Sequence, residues 1–254
     1  MTLDACAAIV EKGDPLRWSA VLAASPDARP ILIPIYAANL EIARAPFAAS
    51  EPMIAEMRVQ WWVDALTEIA EGRPARAHEV TTPLAAVLPP EAARAMIEGA
   101  EARRRDCWNT AFEGPDAFSA YLDATGGALM AAAAIATGTA DPAPHRDFGT
   151  ATALASWLLA RPELAARGRD LSRDIDRDAL SALAARHLSA LRPRPRGPAI
   201  LPGHITRPVL SRAARDPSAI DEGRLAPSEF RRRAALLRMA LLDARQGTSP
   251  PAAG

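Results

Sequence analysis

Three aspartates recur at i, i+4 and i+8 in the run GRDLSRDIDRD, at Asp170, Asp174 and Asp178. On a continuous helix they share one face, and carboxylates paired in that way are what a divalent cation such as Mg²⁺ requires. Arg167, Arg169, Arg173 and Arg177 interleave them, and Asp174 suits the N-cap of a helix whose first turn favours acids. A solvated helix start therefore competes with a metal site. Arg44 with Arg58 offers a second chemistry, direct binding of an anion by guanidinium, against a surface or ion-pair role for both. His78, His145, His187 and His204 are dispersed without ligand spacing, and Cys6 and Cys107 form no CxxC. Neither a Ser-His-Asp or Cys-His arrangement nor a phosphate-binding glycine loop is evident.

The elements that must position these residues read as helices. Ala, Leu, Arg and Glu are common, whereas β-branched and aromatic residues are sparse, so an all-α fold in a single domain over residues 1–245 is expected, with a tail at 246–254. The richest stretch runs from Tyr36 to Glu71. In its second half Ile54, Met57, Trp61, Ala65 and Ile69 recur at helical spacing, with Ser50 as cap and Gly72 as stop. Further helices are expected at Thr2–Glu11, Pro15–Ala24, Ile31–Ala45 with its start near Pro34, Glu91–Trp108, His145–Ala166, Asp174–Leu191 and Ser228–Ala244. Another runs from an Asp116 cap to Ala136 and is interrupted by Thr125-Gly126-Gly127. Two glycines inside a helix cost about 1 kcal/mol each, so either a neighbouring helix crosses tightly there or a cavity is lined. Arg192 to Pro208 reads as a surface loop or extended connector.

Positive and negative side chains number 30 each, so no global field draws a polyanion, and no nucleic-acid partner is expected. The first residues lack a basic start with a long apolar core, so no signal peptide is expected. The longest weakly polar runs, at Ile31 and Ala128, fall short of the roughly 20 residues a membrane span needs. Any membrane association is therefore expected to be peripheral. In SEFRRRAALLRMALLDAR, Phe230, Leu237 and Leu241 lie near one face and Arg231 to Arg233 around another. Such a helix either lies on an anionic membrane or packs on its own core.

Four runs together resemble one family: YAANLEIAR from Tyr36, EPMIAEMRVQWWVDALTEIAEGRP from Glu51, MIEGAEARRRD from Met96 and YLDATGGALM from Tyr121. They are similar to the squalene/phytoene synthases, the head-to-head prenyl synthases, over roughly residues 15–245. The resemblance implies one all-α isoprenoid-synthase domain, a helical bundle around a central apolar cavity that holds prenyl chains. Active members ionise two allylic diphosphates with Mg²⁺ held between two Asp clusters. At the positions matching the first cluster stand Ala43, Arg44 and Phe47, and Glu41 is the only acid between Tyr36 and Phe47. The second cluster's counterpart, TALASWLLARPELAARGR, offers Glu163 but no Asp.

These departures resemble a degenerate branch that includes the mitochondrial complex I assembly factor with a phytoene-synthase-like domain. What that implies is a non-catalytic isoprenoid-binding or membrane-complex assembly role without a cofactor. The protein would be cytoplasmic, or peripheral at the inner membrane face, with an isoprenoid or prenyl diphosphate-like ligand, a membrane surface or respiratory complex subunits as partners. The ligand-contacting positions implied are Tyr36, Asn39, Arg44, Arg58, Gln60, Trp61, Trp62 and Thr125, the Trp pair either lining a cavity or filling a core. The alternative is a working Mg²⁺-dependent prenyltransferase, with Glu41 catalytic and Asp170 and Asp174 on the metal.

Overall fold

A computed structural model describes residues 3–191 and 194–244. The tail and the Arg192–Pro193 step of the connector lie outside them. Among the described residues there are fourteen α-helical segments and no strand. The chain opens with α1 (Leu3–Gly13) and α2 (Pro15–Ala23), between which Asp14 accepts the Arg17 N–H at 2.9 Å and pairs with its guanidinium at 2.8 Å. Helix α3 (Arg29–Arg44) begins at Arg29 and not near Pro34, which lies inside it; Pro30 sits at its start, where a missing N–H costs nothing. Arg29 turns back to donate to the carbonyls of Leu22 and Ala24, satisfying the end of α2. Nearly the whole middle of α3, Leu32 to Ala38, is buried, and a 3₁₀ turn at Ala45–Phe47 follows it.

Helix α4 (Pro52–Ala70) is capped at Glu51 without a side-chain hydrogen bond, so Ser50 is not its cap. Of the expected stripe, Ala65 and Ile69 are buried, but in its first half the helix buries a different face. Ala55, Val59, Trp62 and Leu66 are inside, while Ile54 and Met57 face solvent. Helix α4 packs mainly against α6. The short α5 (Thr81–Ala85) leads to α6 (Pro90–Ala102). The single helix expected to Trp108 breaks at Arg103, and α7 (Arg104–Trp108) ends on Asn109 in a left-handed conformation, φ 49°. Cys6 and Cys107 are free and buried, and burial pushes the Cys6 thiol up to about 11.

The next helix starts from Gly114 rather than an Asp116 cap, as α8 (Pro115–Leu122), passes through a π-helical turn at Asp123–Gly127 and continues as α9 (Ala128–Ala136). By length and composition this segment is apolar enough to cross a membrane, but 67% of it is buried within the fold, as in a core helix. Helix α10 (Ala143–Ala166) crosses it at the glycines. A Cβ on Gly149 would stand 2.5 Å from the Gly126 carbonyl oxygen and 2.7 Å from the Met130 Cβ. Beside the crossing, Asp123 accepts from Arg146 at 2.7 Å and from Thr150 at 3.0 Å.

Helix α11 (Arg177–Ala190) is capped by Asp176, whose side chain accepts the Ala179 N–H at 2.7 Å, so Asp174 is not the cap. The connector forms a largely buried 3₁₀ strap at Pro198–Ile205, not a surface loop. Its Ala199, Ile200 and Leu201 are apolar enough to be pulled into the core. Two helices with no expected counterpart, α12 (Thr206–Arg215) and α13 (Ser218–Asp221), precede α14 (Glu229–Ala244), which packs on the strap. Adding one methyl at the crossing, Gly149→Ala, is expected to destabilise the protein by about 1–3 kcal/mol through overpacking, read as a lower thermal midpoint. An unchanged midpoint would mean the two helices are not held at this spacing.

Candidate functional site

The helices enclose a cavity of about 390 Å³, within the roughly 300–1,000 Å³ usual for small-molecule sites. Most of the wall is apolar: Leu122, Leu129 and Met130 on one side, Trp157, Ala160 and Leu164 of α10 on another, and Ala199 and Pro202 of the strap. Helix α3 contributes Tyr36, Asn39, Leu40 and Ala43, one residue per turn or so along its inner face. Trp157 packs edge-on against Phe118 at 5.3 Å, and Phe112 and Tyr121 stand beside it at 6.2 and 6.0 Å, so this wall is a rigid aromatic cluster.

Two polar clusters enter the lumen. In the first, the Tyr121 hydroxyl donates to Asp106, with both carboxylate oxygens within 2.8–2.9 Å, and Arg103 stands 3.4 Å from the same carboxylate. Asp106 is 4% exposed, and burial raises its pKa, with Arg103 and the Tyr121 hydroxyl offsetting only part of that rise. Burial, reinforced by the Asp106 charge, likewise raises the Tyr121 phenol. In the second cluster the Arg17 guanidinium lies over the Tyr36 ring, 5.1 Å from its centroid, while its charge is engaged by Asp14. The Tyr36 hydroxyl is buried and has no hydrogen-bond partner, and burial raises its pKa too, Arg17 opposing the shift. It is therefore a neutral, unpartnered donor on a residue that lines the cavity.

Of the residues singled out from the sequence, Tyr36, Asn39 and Thr125 line the cavity, whereas Arg44, Arg58, Gln60, Trp61 and Trp62 do not. Arg44 points away and pairs with Glu41 at 3.2 Å, and Arg58 is exposed on α4. Gln60 donates to Asp64 at 2.6 Å and accepts from Arg104, which ties α4 to α7. Trp61 and Trp62 meet His78 edge-on at 5.1 and 5.7 Å, and Arg76 lies over Trp61 while pairing with Glu68 at 2.6 Å. Of the two alternatives, the Trp pair therefore fills a core: it fastens the linker after α4.

Sequence reasoning missed Asp106, Arg103, Tyr121, Arg17 and Trp157. The run Arg103 to Asp106 reads as a solvated helix end, and only the break at Arg103 turns its acid inward. An acid followed directly by Cys107, itself buried, was the available signal.

The wall offers a Mg²⁺-diphosphate cluster no fitting donor set. Ala43 and Phe47 line the lumen where acids would be needed, and the Arg169 guanidinium covers the Phe47 ring at 4.7 Å. The carboxylates that do line it, Asp14 and Asp106, are each engaged by an arginine. Glu41, Asp170 and Asp174 are not among the lining residues, and no group of three His, Cys, Asp or Glu able to hold a metal occurs among the described residues. Asp174 is exposed. Asp170 is buried and accepts from Arg161 at 3.0 Å and from Ser172 at 2.6 Å, and Ser172 in turn accepts the Trp157 indole N–H at 3.0 Å. Its charge holds the aromatic wall in place.

Fold and site thus define an all-α domain built around a mainly apolar cavity into which several polar side chains project. The squalene/phytoene synthase family model matches residues 11–175, more than half the chain, and the chain belongs to that family. No curated protein matches it in sequence. Among solved structures, the crystal structure of a dehydrosqualene synthase in complex with ligand superposes with a TM-score of 0.71 at 14% identity, covering 96% of both chains. At that identity the likeness establishes the fold.

The buried carboxyl makes a pH prediction. Unfolded, Asp106 loses its proton near the ordinary 3.8; folded, it keeps it to higher pH. The stability this contributes is complete below the ordinary value and is lost as pH rises through the folded one. Asp106→Asn cannot ionise, so the unfolding free energy of the wild type minus that of the variant is expected to fall as pH rises above about 4 in denaturant titrations. A difference independent of pH would contradict the assignment.

Proposed function

We propose that this protein holds an isoprenoid chain with an uncharged, oxygen-bearing head and does not ionise prenyl diphosphates. The observation that carries the reading is the pairing of an apolar lumen with the loss of acids from its wall: Ala43 and Phe47 face the cavity where a metal cluster would need carboxylates. The buried, unpartnered Tyr36 hydroxyl is a donor suited to an alcohol or carbonyl oxygen, and Asn39 and Thr125 line the same lumen. Of the three arginines that line the cavity, Arg17 and Arg103 are engaged by Asp14 and Asp106, and Arg169 stacks on the Phe47 ring, so a diphosphate would find one guanidinium without a carboxylate partner and no acids to hold its Mg²⁺.

Incubation with farnesyl or geranylgeranyl diphosphate and Mg²⁺ is expected to release no diphosphate above background. Mg²⁺-dependent turnover abolished by Glu41→Ala would establish the prenyltransferase reading in its place. An assembly role at a membrane complex, with respiratory complex I subunits as partners and a cytoplasmic location at the inner membrane face, is a further part of the proposal. It rests on the resemblance of the Tyr36 and RVQWW runs to the degenerate branch of the family. Deleting the gene is expected to lower assembled complex I, and normal levels would rule that part out.

A further inference from the structure

We propose that the outer face of α14 docks on an anionic phospholipid bilayer. The helix presents two different faces. Met239 is buried, Leu236 and Ala240 pack against the core, and Asp243 accepts the Gly197 N–H at 2.9 Å, so the inner face is fully employed on the strap. On the opposite side Phe230, Leu237 and Leu241, at i, i+7 and i+11, form one stripe that is 82, 61 and 50% exposed. Such a row of large apolar side chains in water is unfavourable unless something covers it.

Charge identifies what covers it. The chain as a whole is neutral, yet exposed Arg233 borders the stripe on one side and exposed Arg231 and Arg238 on the other. Exposed Arg194 of the connector and Arg207 of α12 extend the basic surface. Arg194 feels the charges of Arg238 and Arg207, with Asp243 opposing them, which places these groups near one another. The carboxylates nearby are committed, Glu229 to Arg232 and Arg233, and Asp243 to Gly197. An apolar stripe flanked on both sides by arginine is the arrangement of a helix lying in a lipid headgroup layer, with apolar side chains among acyl chains and guanidinium groups at phosphate level. A second copy meeting this face about a two-fold axis would set arginine against arginine, which disfavours a dimer.

The test is co-sedimentation of the full chain with vesicles of phosphatidylcholine alone or mixed with phosphatidylglycerol. Binding is expected only to the anionic vesicles. It should weaken about tenfold or more in Phe230→Ser/Leu237→Ser and by about fivefold per arginine in Arg231→Gln and Arg238→Gln. Because all four side chains are exposed, the thermal midpoints should stay at the wild-type value. Failure of the wild type to sediment with anionic vesicles would overturn the proposal. So would equal binding by folded variants, or a dimer in light scattering that Phe230→Ser/Leu237→Ser dissolves without vesicle binding by the wild type.

Discussion

The close approach of α10 to the π turn at Gly126 and Gly127 sets the geometry of the rest. Backbone packs against backbone there because no Cβ intervenes on either side: a methyl on Gly149 or on Gly126 would collide with the other helix. That contact places α10 so that Thr152, Ala153, Ser156 and Trp157 face the lumen, and it puts Thr125 and Gly126 in the same wall. The π turn adds a residue to the ladder, Thr125 returning its hydroxyl to the Tyr121 carbonyl at 2.7 Å. Tight crossing and cavity lining, two separate explanations for the paired glycines at sequence level, coincide at this point.

Around that frame, several charged groups are tied up in contacts within the fold. Asp170 anchors Trp157 through Ser172, Asp106 is locked by Tyr121 and Arg103, and Glu41 with Arg44 makes a half-exposed pair of the kind worth little to stability. Gln60 and the two tryptophans, the most family-like residues in the chain, hold α7 and the linker rather than a ligand. The polar groups that line the cavity without a carboxylate partner include Asn39, Thr125, Ser156 and the Arg169 guanidinium, which lies over Phe47.

Much of the architecture was legible from residue pattern. Several helix limits stand beside a proline or glycine, as at Pro52, Gly72 and Pro90, because these residues act on their own backbone, but Pro34 marks no start and lies inside α3. Faces were harder to read. In its first half helix α4 buries Ala55 and Val59 and leaves Ile54 and Met57 in solvent. The site was half legible: Tyr36, Asn39 and Thr125 follow from the family likeness, but the inward turn of Asp106 comes with a break at Arg103. The strap was misread because its Pro and Arg content outweighs the short apolar run Ala199–Leu201, which is drawn inward only once the bundle offers it a core.

Equilibrium dialysis of the full chain against tritiated farnesol and tritiated farnesyl diphosphate, each with and without Mg²⁺, addresses the central claim most directly. The account predicts that farnesol is retained, that Mg²⁺ does not alter its retention, and that Leu129→Trp, which fills the cavity, abolishes it in a protein that remains folded. Retention of the diphosphate alone, and only with Mg²⁺ present, would contradict it.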